Sequence, residues 1–127
     1  MPLKKISAVI IEDSEVDLWL ITFMLKKIGN VNILNFSRSG TDGIKLIEKY
    51  KPELVFLDLD LPGASGIDIA RMIRKKNIHS NIVFVTAFEQ YANEVQEFEP
   101  FDYLVKPLSL EELTGMLDRY SAGRTKE

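Results

Sequence analysis

The stretch Val55-Phe56-Leu57-Asp58-Leu59-Asp60-Leu61-Pro62-Gly63 runs from three large apolar residues into two acids and then a turn. An apolar run of this length, bounded by Pro-Gly, is typical of a β-strand that is buried on both faces. Asp58 then lies at the carboxyl end of the strand, which is the edge where open parallel sheets bind ligands. The alternative is that Asp58 only caps the turn, and the rest of the sequence has to distinguish these two interpretations.

Composition excludes several classes of protein. The chain has 127 residues, 46% of them hydrophobic, with a net charge of −3 and no cysteine. This length supports one compact core rather than two ordinary domains. The scattered basic residues argue against direct nucleic-acid binding, and the lack of cysteine excludes disulfides and thiolate metal sites. Because no run of about 18 apolar residues occurs, we predict no membrane span and expect a soluble, cytoplasmic protein.

Short apolar runs alternate with longer segments of helical period along the chain. The runs predict five strands at residues 6–11, 31–36, 54–57, 81–85 and 101–105. The longer segments predict five helices, the first between Ser14 as N-cap and Gly29, and the others over 41–49, 66–76, 89–97 and 110–120. This order predicts an α/β, flavodoxin-like fold, in which helices cover both faces of a five-stranded, doubly wound parallel sheet of strand order 2-1-3-4-5.

The first helix and the carboxyl terminus need separate interpretation. Trp19 in the first helix is explained either by core packing or by docking of a kinase or phosphotransferase. We expect one domain over residues 1–121, with 122–127 as a frayed tail or the start of a linker. The core stripe of the first helix is predicted to consist of Val16, Leu20, Phe23, Met24 and Ile28.

Polar residues follow four of the predicted strands at one edge of the sheet. They are Glu12 and Asp13, Asp58 and Asp60, Thr86, and Lys106. Because the first and third strands are neighbours in the predicted order, Glu12, Asp13 and Asp58 should meet. Clustered carboxylates require a cation, and their hard oxygen atoms favour Mg²⁺, for which Mn²⁺ could substitute.

Two further groups at this edge indicate what completes the site. A lysine ammonium and a threonine hydroxyl, from Lys106 and Thr86, suit the oxygens of a phosphoryl group beside a magnesium ion. An ionised aspartate can attack phosphorus, and the reaction then needs mainly positioning and charge neutralisation. Asp58 is the best candidate nucleophile because it is central in the cluster.

These motifs together resemble the receiver domain of two-component response regulators. The resemblance covers about residues 5 to 120 and rests on VIIEDSE, FLDLDLPGASG, VFVTA and DYLVKP, in that order. It implies a phosphoacceptor signalling domain rather than an enzyme, one that catalyses its own phosphorylation and dephosphorylation. Its partner would be a sensor histidine kinase or phosphotransferase, since His79, the only histidine, is predicted to lie in a surface loop.

The resemblance also implies a role for each residue of the cluster. Asp58 would be the phosphorylated residue, and Thr86 and Lys106 would hold the phosphoryl oxygens. Ala87 would leave room for them, and Tyr103 would be an aromatic switch that turns inward when the surface of the fourth helix, fifth strand and fifth helix changes. The magnesium ligands would be Asp58, Asp13, Glu12 through water, and the backbone carbonyl of Asp60.

A narrower resemblance concerns TAFEQYANEVQEFEPFDYLVKP, which is similar to receivers that precede LytTR-type DNA-binding domains. This chain contains no such output domain. It is therefore interpreted either as a receiver that belongs to a longer protein or as a single-domain relay protein. Homodimerisation on phosphorylation is a further expectation from the resemblance.

Two other classes of protein share parts of this pattern. A haloacid dehalogenase-like phosphatase also carries an aspartate pair like Asp58-Leu59-Asp60, but that pair lies on its opening strand and its further acids follow downstream. A flavodoxin-like cofactor binder shares the sheet but needs a phosphate-binding loop after the first strand. The acids of Glu12-Asp13-Ser14-Glu15 would repel that phosphate, so both alternatives fit less well.

Overall fold

A computed structural model describes residues 4–124 and contains one five-stranded parallel sheet. The strands lie side by side in the order β2-β1-β3-β4-β5, so the predicted sheet and its topology are confirmed. In this order β1 and β3 are neighbours, with Ile11 opposite Leu57 at their carboxyl ends. The strands are β1 (Ile6–Ile11), β2 (Val31–Ser37), β3 (Leu54–Leu57), β4 (Asn81–Thr86) and β5 (Asp102–Val105).

Helices cover both faces of the sheet. Over residues 4–124 they are α1 (Glu15–Ile28), α2 (Gly40–Tyr50), α3 (Gly66–Lys75) and α4 (Leu110–Arg124), together with the 3-10 helices η1 (Glu89–Tyr91) and η2 (Glu94–Phe98). The prediction of five α-helices is therefore wrong, because residues 89–97 form two 3-10 turns instead. None of the helices within residues 4–124 is both long and apolar enough to cross a membrane.

The hydrogen bonds of residues 89–98 are those of 3-10 turns rather than of an α-helix. The Gln96 amide donates to Asn93 O at 3.2 Å, which is a 3-10 hydrogen bond. The carbonyl that an α-helix would require, Ala92 O, instead accepts a hydrogen bond from Gln96 Nε2 at 2.8 Å. Neither turn begins with a side-chain cap. The apolar spacing of this segment thus predicts a helix, but local hydrogen bonding holds it in the tighter form.

The boundaries of α1 are as predicted, but its buried face is so only in part: Met24 and Ile28 of the predicted stripe pack against the core, whereas Val16 and Phe23 are exposed. Ser14 caps the helix by accepting from the Asp17 amide at 3.2 Å, and Gly29 ends it at φ +92°. The buried residues are Leu18, Ile21 and Leu25, whereas the predicted stripe includes Val16 at 73% exposure and Phe23 at 50%. The helix is apolar on nearly all sides, so two stripes fit the helical period.

Trp19 is 64% exposed and stacks on Phe23, with ring centroids 5.4 Å apart. Core packing is therefore the wrong explanation for this residue. The stacked pair instead forms part of an exposed apolar face of α1.

The core lies in two layers, one on each face of the sheet. Alternate residues of β1 enter different layers: Ile10 packs with α1 and α4, and Ile11 packs with α2 and α3. All four residues of β3 are buried, as expected for a central strand covered on both faces. This packing fixes the end of β3, and therefore the position of Asp58.

The last helix is longer than predicted. It continues to Arg124, so residues 122–124, expected to be a frayed tail or linker, are helical. Arg124 holds this end because its guanidinium contacts Glu53 Oε1 and Oε2 at 2.9 and 3.0 Å and donates to Lys4 O at 2.7 Å. Residues 125–127, the rest of the expected tail, lie outside the described residues.

Candidate functional site

The carboxyl ends of three strands bring together the charged groups that the sequence predicts. Lys106 Nζ lies 2.8 Å from Glu12 Oε1 and 3.1 Å from Asp58 Oδ2. These two carboxylate side chains are 5% and 8% exposed, and the lysine side chain is 16% exposed. The site therefore holds a lysine ammonium between two carboxylates that are almost fully removed from water.

The backbone around Asp58 fixes its carboxylate at the end of the sheet. Its amide donates to Ile11 O at 3.0 Å, which continues the β1–β3 pairing by one residue. Asp58 Oδ1 in turn accepts from the Asp60 amide at 3.3 Å. Gly66 starts α3 directly behind this loop, where a Cβ atom would lie 2.2 Å from Asp58 O. Only glycine permits such close packing.

Burial disfavours the charge on Glu12. Loss of hydration raises its pKa to about 7, although the hydrogen bond from Lys106 opposes this shift. The nearby Asp58 carboxylate adds to the increase, because two like charges in one site cannot both ionise freely. Glu12 Oε2 also accepts from the Ser14 amide at 3.0 Å, which keeps the side chain directed into the site.

The ammonium of Lys106 responds to burial and to its partners in opposite ways. Burial alone would lower the pKa of Lys106, but hydrogen bonds to Glu12 and Asp17 and the charge of Asp58 raise it above its ordinary value. Lys106 is therefore a fixed positive charge at neutral pH. Its bond to Pro107 is cis.

A cavity of about 210 Å³ opens onto these charged groups. Within residues 4–124, no three His, Cys, Asp or Glu side chains converge closely enough to hold a metal by themselves. Mg²⁺ binds through one or two carboxylates and completes its shell with carbonyl oxygens, water and phosphate, so the lining fits this ion. The cavity is lined by Glu12, Asp13, Ser14, Asp58, Asp60, Ala87, Phe88 and Lys106.

The remaining predicted residues lie around this cavity. Asp13 and Asp60 are exposed on its lining, and Asp13 O accepts from Arg38 Nε at 3.0 Å. Thr86 is fully buried at the end of β4, and its Oγ1 accepts from the Phe88 amide at 3.3 Å. The predicted residues of the four strand ends are thus assembled at one edge of the sheet.

Tyr103 lies on β5 beside the same edge. Its ring is half-buried against Phe84, with centroids 5.9 Å apart, and its hydroxyl donates to Phe88 O. Burial raises the pKa of Tyr103 above its ordinary value. The ring is therefore not in open solvent. The prediction that Tyr103 turns inward on phosphorylation requires a ring that starts in solvent.

One site residue was missed in the sequence. Asp17 Oδ2 lies 2.9 Å from Lys106 Nζ, so a third carboxylate contacts the ammonium. In the sequence Asp17 is explained by helix capping, because it lies three residues after Ser14. Its position in the first turn of α1, just after Glu12 and Asp13, could have indicated that it lies near the strand ends. Its contact with Lys106 could not have been predicted, because the two residues are 89 positions apart in the sequence.

Comparison with known proteins agrees with the fold. Residues 8–118 match the family model described as the response regulator receiver domain. This match covers most of the chain, and the chain belongs to that family. Family membership favours the receiver interpretation over the phosphatase and cofactor-binding alternatives.

Individual relatives support the same assignment. The chain is 34% identical over 100 residues to the sensory transduction protein LytT of Bacillus subtilis, covering 79% of this chain and 42% of LytT. It is 30% identical over 114 residues to the transcriptional regulatory protein YpdB of Escherichia coli K12, covering 90% of this chain and 47% of YpdB. The chain spans about half the length of the curated relatives it matches.

Among solved structures, the response regulatory domain of the protein mrkE from Klebsiella pneumoniae superposes with a TM-score of 0.88 at 26% identity. The superposition covers 95% of this chain and 99% of the mrkE domain. The chain therefore matches the mrkE response regulatory domain over almost its whole length and in topology.

Proposed function

We propose that this receiver domain accepts a phosphoryl group on Asp58 from a phosphohistidine of a separate sensor kinase or phosphotransferase in the cytoplasm. Asp58 is the acceptor, Lys106 and Thr86 hold the phosphoryl oxygens, and Ala87 leaves room for them. The domain assists its own phosphorylation and dephosphorylation.

The observation that carries this proposal is the setting of the Asp58 carboxylate. It is almost buried at the end of the central strand, 3.1 Å from a lysine ammonium, and it opens onto a cavity large enough for a phosphoryl group. A carboxylate in this position is oriented by its own loop and faces a fixed positive charge. Those are the two requirements of phosphoryl transfer, positioning and charge stabilisation.

The transfer step balances without an additional reactant. An oxygen of Asp58 forms a bond to phosphorus while the bond between phosphorus and the histidine nitrogen breaks. The electron pair of that bond leaves with the imidazole, which then takes up a proton from solvent. Lys106 stabilises the negative charge on the phosphoryl oxygens, and the buried Thr86 hydroxyl lies at the neighbouring strand end to donate a hydrogen bond to one of them.

Magnesium fits the remaining groups of the site. Asp13, Asp58 and the backbone carbonyl of Asp60 would hold the ion, and Glu12 would contact it through water. When bound, the ion neutralises the carboxylates and the incoming phosphoryl oxygens. The high pKa of Glu12 supports this role, because a group that is difficult to ionise alone is stabilised as an anion by a nearby cation.

Phosphorylation should become a signal through Thr86 and Tyr103. Thr86 Oγ1 accepts a hydrogen bond from Phe88, and the Tyr103 hydroxyl donates to the carbonyl of the same residue. A hydroxyl drawn toward the phosphoryl group would disturb Phe88 and release Tyr103. We infer that residues 89–98, β5 and α4 form the surface that changes, with the 3-10 turns in place of a fourth α-helix.

The partners follow from the relatives and from the exposed face of α1. Since the chain spans about half of YpdB, which is named as a transcriptional regulatory protein, and resembles LytT, we propose that a DNA-binding output domain of LytTR type receives the signal. Homodimerisation on phosphorylation is one way to transmit it. The stacked Trp19 and Phe23 rings form an apolar surface suited to docking of the kinase or phosphotransferase.

The direct test is chemical phosphorylation. Wild-type protein is incubated with acetyl phosphate, with and without Mg²⁺, and its intact mass is measured before the modified residue is mapped. We expect one phosphoryl group on Asp58, added only with Mg²⁺, and none in Asp58→Asn. Asp60→Asn is the matched control, because it changes the same charge in the same loop. Equal labelling of Asp58→Asn at another residue would contradict the proposal.

A further inference from the structure

Lys106 has more anionic partners than the proposed chemistry uses. Its ammonium lies within 3.1 Å of carboxylate oxygens of Glu12, Asp17 and Asp58. An ammonium has three N–H donors, so all of them are engaged. Two of the partners belong to the strand ends and the third, Asp17, belongs to the first turn of α1.

Asp17 approaches the ammonium from outside the cavity that the metal and phosphoryl group would fill. Asp17 is not part of the lining of that cavity. It instead lines a separate space of about 60 Å³ together with Leu20, Ile21, Val85 and Pro107. Glu12 and Lys106 line both spaces, so the lysine lies on the boundary between them.

The three carboxylates that contact Lys106 therefore fall into two groups. Glu12 and Asp58 face the metal and phosphoryl cavity, and Asp17 does not. A magnesium ion would compete with Lys106 for the oxygens of Glu12 and Asp58, and a phosphoryl group would compete for the Asp58 oxygen to which it bonds. They do not compete for Asp17, which is held on the helix by its amide hydrogen bond to Ser14 Oγ at 3.2 Å. The contact between Asp17 and Lys106 can therefore persist when the site is loaded.

We propose that Asp17 is a positioning residue that keeps the Lys106 ammonium at the edge of the sheet while metal and phosphoryl group engage Glu12 and Asp58. This inference rests on the proposed function of Asp58. A lysine side chain has four rotatable carbon–carbon bonds, and its ammonium is strongly hydrated. Without a fixed anion on the helix, the ammonium would be free to leave the edge once its other partners are taken.

The chain offers a matched control in α2. Asp42 stands three residues after Ser39, and its amide donates to Ser39 Oγ at 3.2 Å, as the Asp17 amide donates to Ser14. Both aspartates thus have the same place in a capped first turn and the same favourable interaction with the helix dipole. Only Asp17 contacts Lys106. Asp17→Asn and Asp42→Asn therefore change capping and net charge equally and differ in the contact with the ammonium.

The first readout is the position of the ammonium itself. Lysine NH₃⁺ groups held in buried ion pairs exchange slowly with water and are visible in ¹⁵N-resolved spectra of the side chains. We expect the Lys106 resonance, assigned with Lys106→Arg, to persist in wild type and Asp42→Asn when Mg²⁺ is added. In Asp17→Asn it should broaden beyond detection under the same conditions. Persistence of the resonance in Asp17→Asn, or its loss from wild type, would overturn the proposal.

The second readout is the rate at which Asp58 is labelled by saturating acetyl phosphate. We expect Asp17→Asn to be slower than Asp42→Asn by about fivefold, because a misplaced charge stabilises the transition state less. Magnesium affinity should be unchanged, since Asp17 lies outside the metal cavity. A rate equal to that of the control, or a faster rate, would show that Asp17 does not position Lys106 for transfer.

The two readouts also separate this inference from the proposed function. If wild type is not labelled at Asp58 but the Lys106 resonance depends on Asp17 as expected, the proposed function fails and the anchoring role is supported. If wild type is labelled and the resonance is independent of Asp17, the proposed function stands and the anchoring role is overturned.

Discussion

The two ends of the sheet each hold a charged cluster, but their charges are balanced differently. At the amino end, one carboxylate, Glu53, meets the Arg124 guanidinium at 2.9 and 3.0 Å and accepts from the Tyr120 hydroxyl at 3.0 Å. At the carboxyl end, three carboxylates share the single ammonium of Lys106. We call the first cluster the paired end and the second the unbalanced end.

The difference indicates what each cluster does. At the paired end, Arg124 and Tyr120 of the last helix both donate to Glu53, the residue before β3, and burial together with the Glu53 contact raises the pKa of Tyr120 to about 12. At the unbalanced end, the excess of carboxylates opposes folding unless a cation is added. A protein keeps such a cluster where ligand binding uses it, so the paired end should serve stability and the unbalanced end function.

The largest expected effect is the loss of Lys106. Lys106→Met removes the only ammonium of the unbalanced end while keeping much of the side-chain volume. We expect the labelling rate of Asp58 with acetyl phosphate to fall by about a hundredfold, since one charge-stabilising donor is typically worth that much. Arg124→Met is the comparison, because it removes one cation from the paired end. That variant should be labelled at the wild-type rate, and an equal loss in both would remove the distinction between the ends.

The next effect concerns stability. Arg124→Met leaves Glu53 without its guanidinium, and the unfolding free energy should fall by about 2 kcal/mol, less than for a fully buried pair because Glu53 is partly exposed. Urea denaturation at neutral pH measures this change. Arg119→Met is the control, since Arg119 pairs with Asp102 on the surface, where ion pairs contribute little. A similar loss in both variants would show that the paired end has no special role in stability.

The free energy of unfolding should depend on pH, because Glu12 at the unbalanced end is difficult to ionise in the folded protein. The pKa of Glu12 rises from 4.5 to about 7 on folding, so the folded protein binds this proton more tightly than the unfolded chain. The contribution of Glu12 to stability is therefore lost as pH rises from about 4.5 through 7. In the Glu12→Gln variant the side chain at position 12 cannot ionise, so the variant does not lose this stability as pH rises.

We expect Glu12→Gln to gain about 1.5 kcal/mol of stability relative to wild type between pH 5 and about pH 6.3, without divalent metal. Urea denaturation at several pH values follows this difference. A difference between the two proteins that stays constant with pH would mean that Glu12 is not destabilised by its surroundings.

The smallest predicted effect concerns magnesium. Asp13 is an exposed carboxylate on the lining of the cavity, and Asp13→Ala should weaken magnesium binding by about tenfold, because one of the compensating charges is removed. The thermal midpoint of wild type should rise with Mg²⁺ concentration, and the rise should shift to higher concentrations in the variant. Glu15→Ala, which changes a nearby exposed acid on α1, should behave as wild type. An unchanged affinity in Asp13→Ala would exclude it as a ligand.

Much of the fold follows from the sequence because its strands are short apolar runs with clear ends. The bounds of β1 and β3 agree with the prediction, and Ser14 and Gly29 mark the ends of α1 as capping residues should. The buried face of α1 could not be predicted in full from the sequence, because more than one stripe of apolar residues on this helix fits the helical period. Residues 89–98 have helical spacing, but their backbone hydrogen bonds are of the 3-10 type, and Ala92 O accepts from the Gln96 side chain instead of the Gln96 amide.

The candidate site was predictable to the extent that strand order determines which ends meet. Glu12, Asp58 and Lys106 lie together because parallel strands end at one edge. Asp17 and Arg124 were not predicted, because both lie on helices and meet partners far away in the sequence. Their contacts depend on how each helix packs against the sheet, which spacing alone does not determine.

The comparison of the two ends is tested most directly by amide NMR with Mg²⁺ and beryllofluoride, which mimics an aspartyl phosphate. We predict shifts at Asp58, Thr86 and Lys106 that extend through Tyr103 into residues 88–98. We predict no comparable shifts at Glu53, the carboxylate of the paired end. Shifts limited to the metal-binding loops would contradict the transmission through Tyr103. Shifts centred on the paired end, or none at Asp58, would contradict the assignment of function to the unbalanced end.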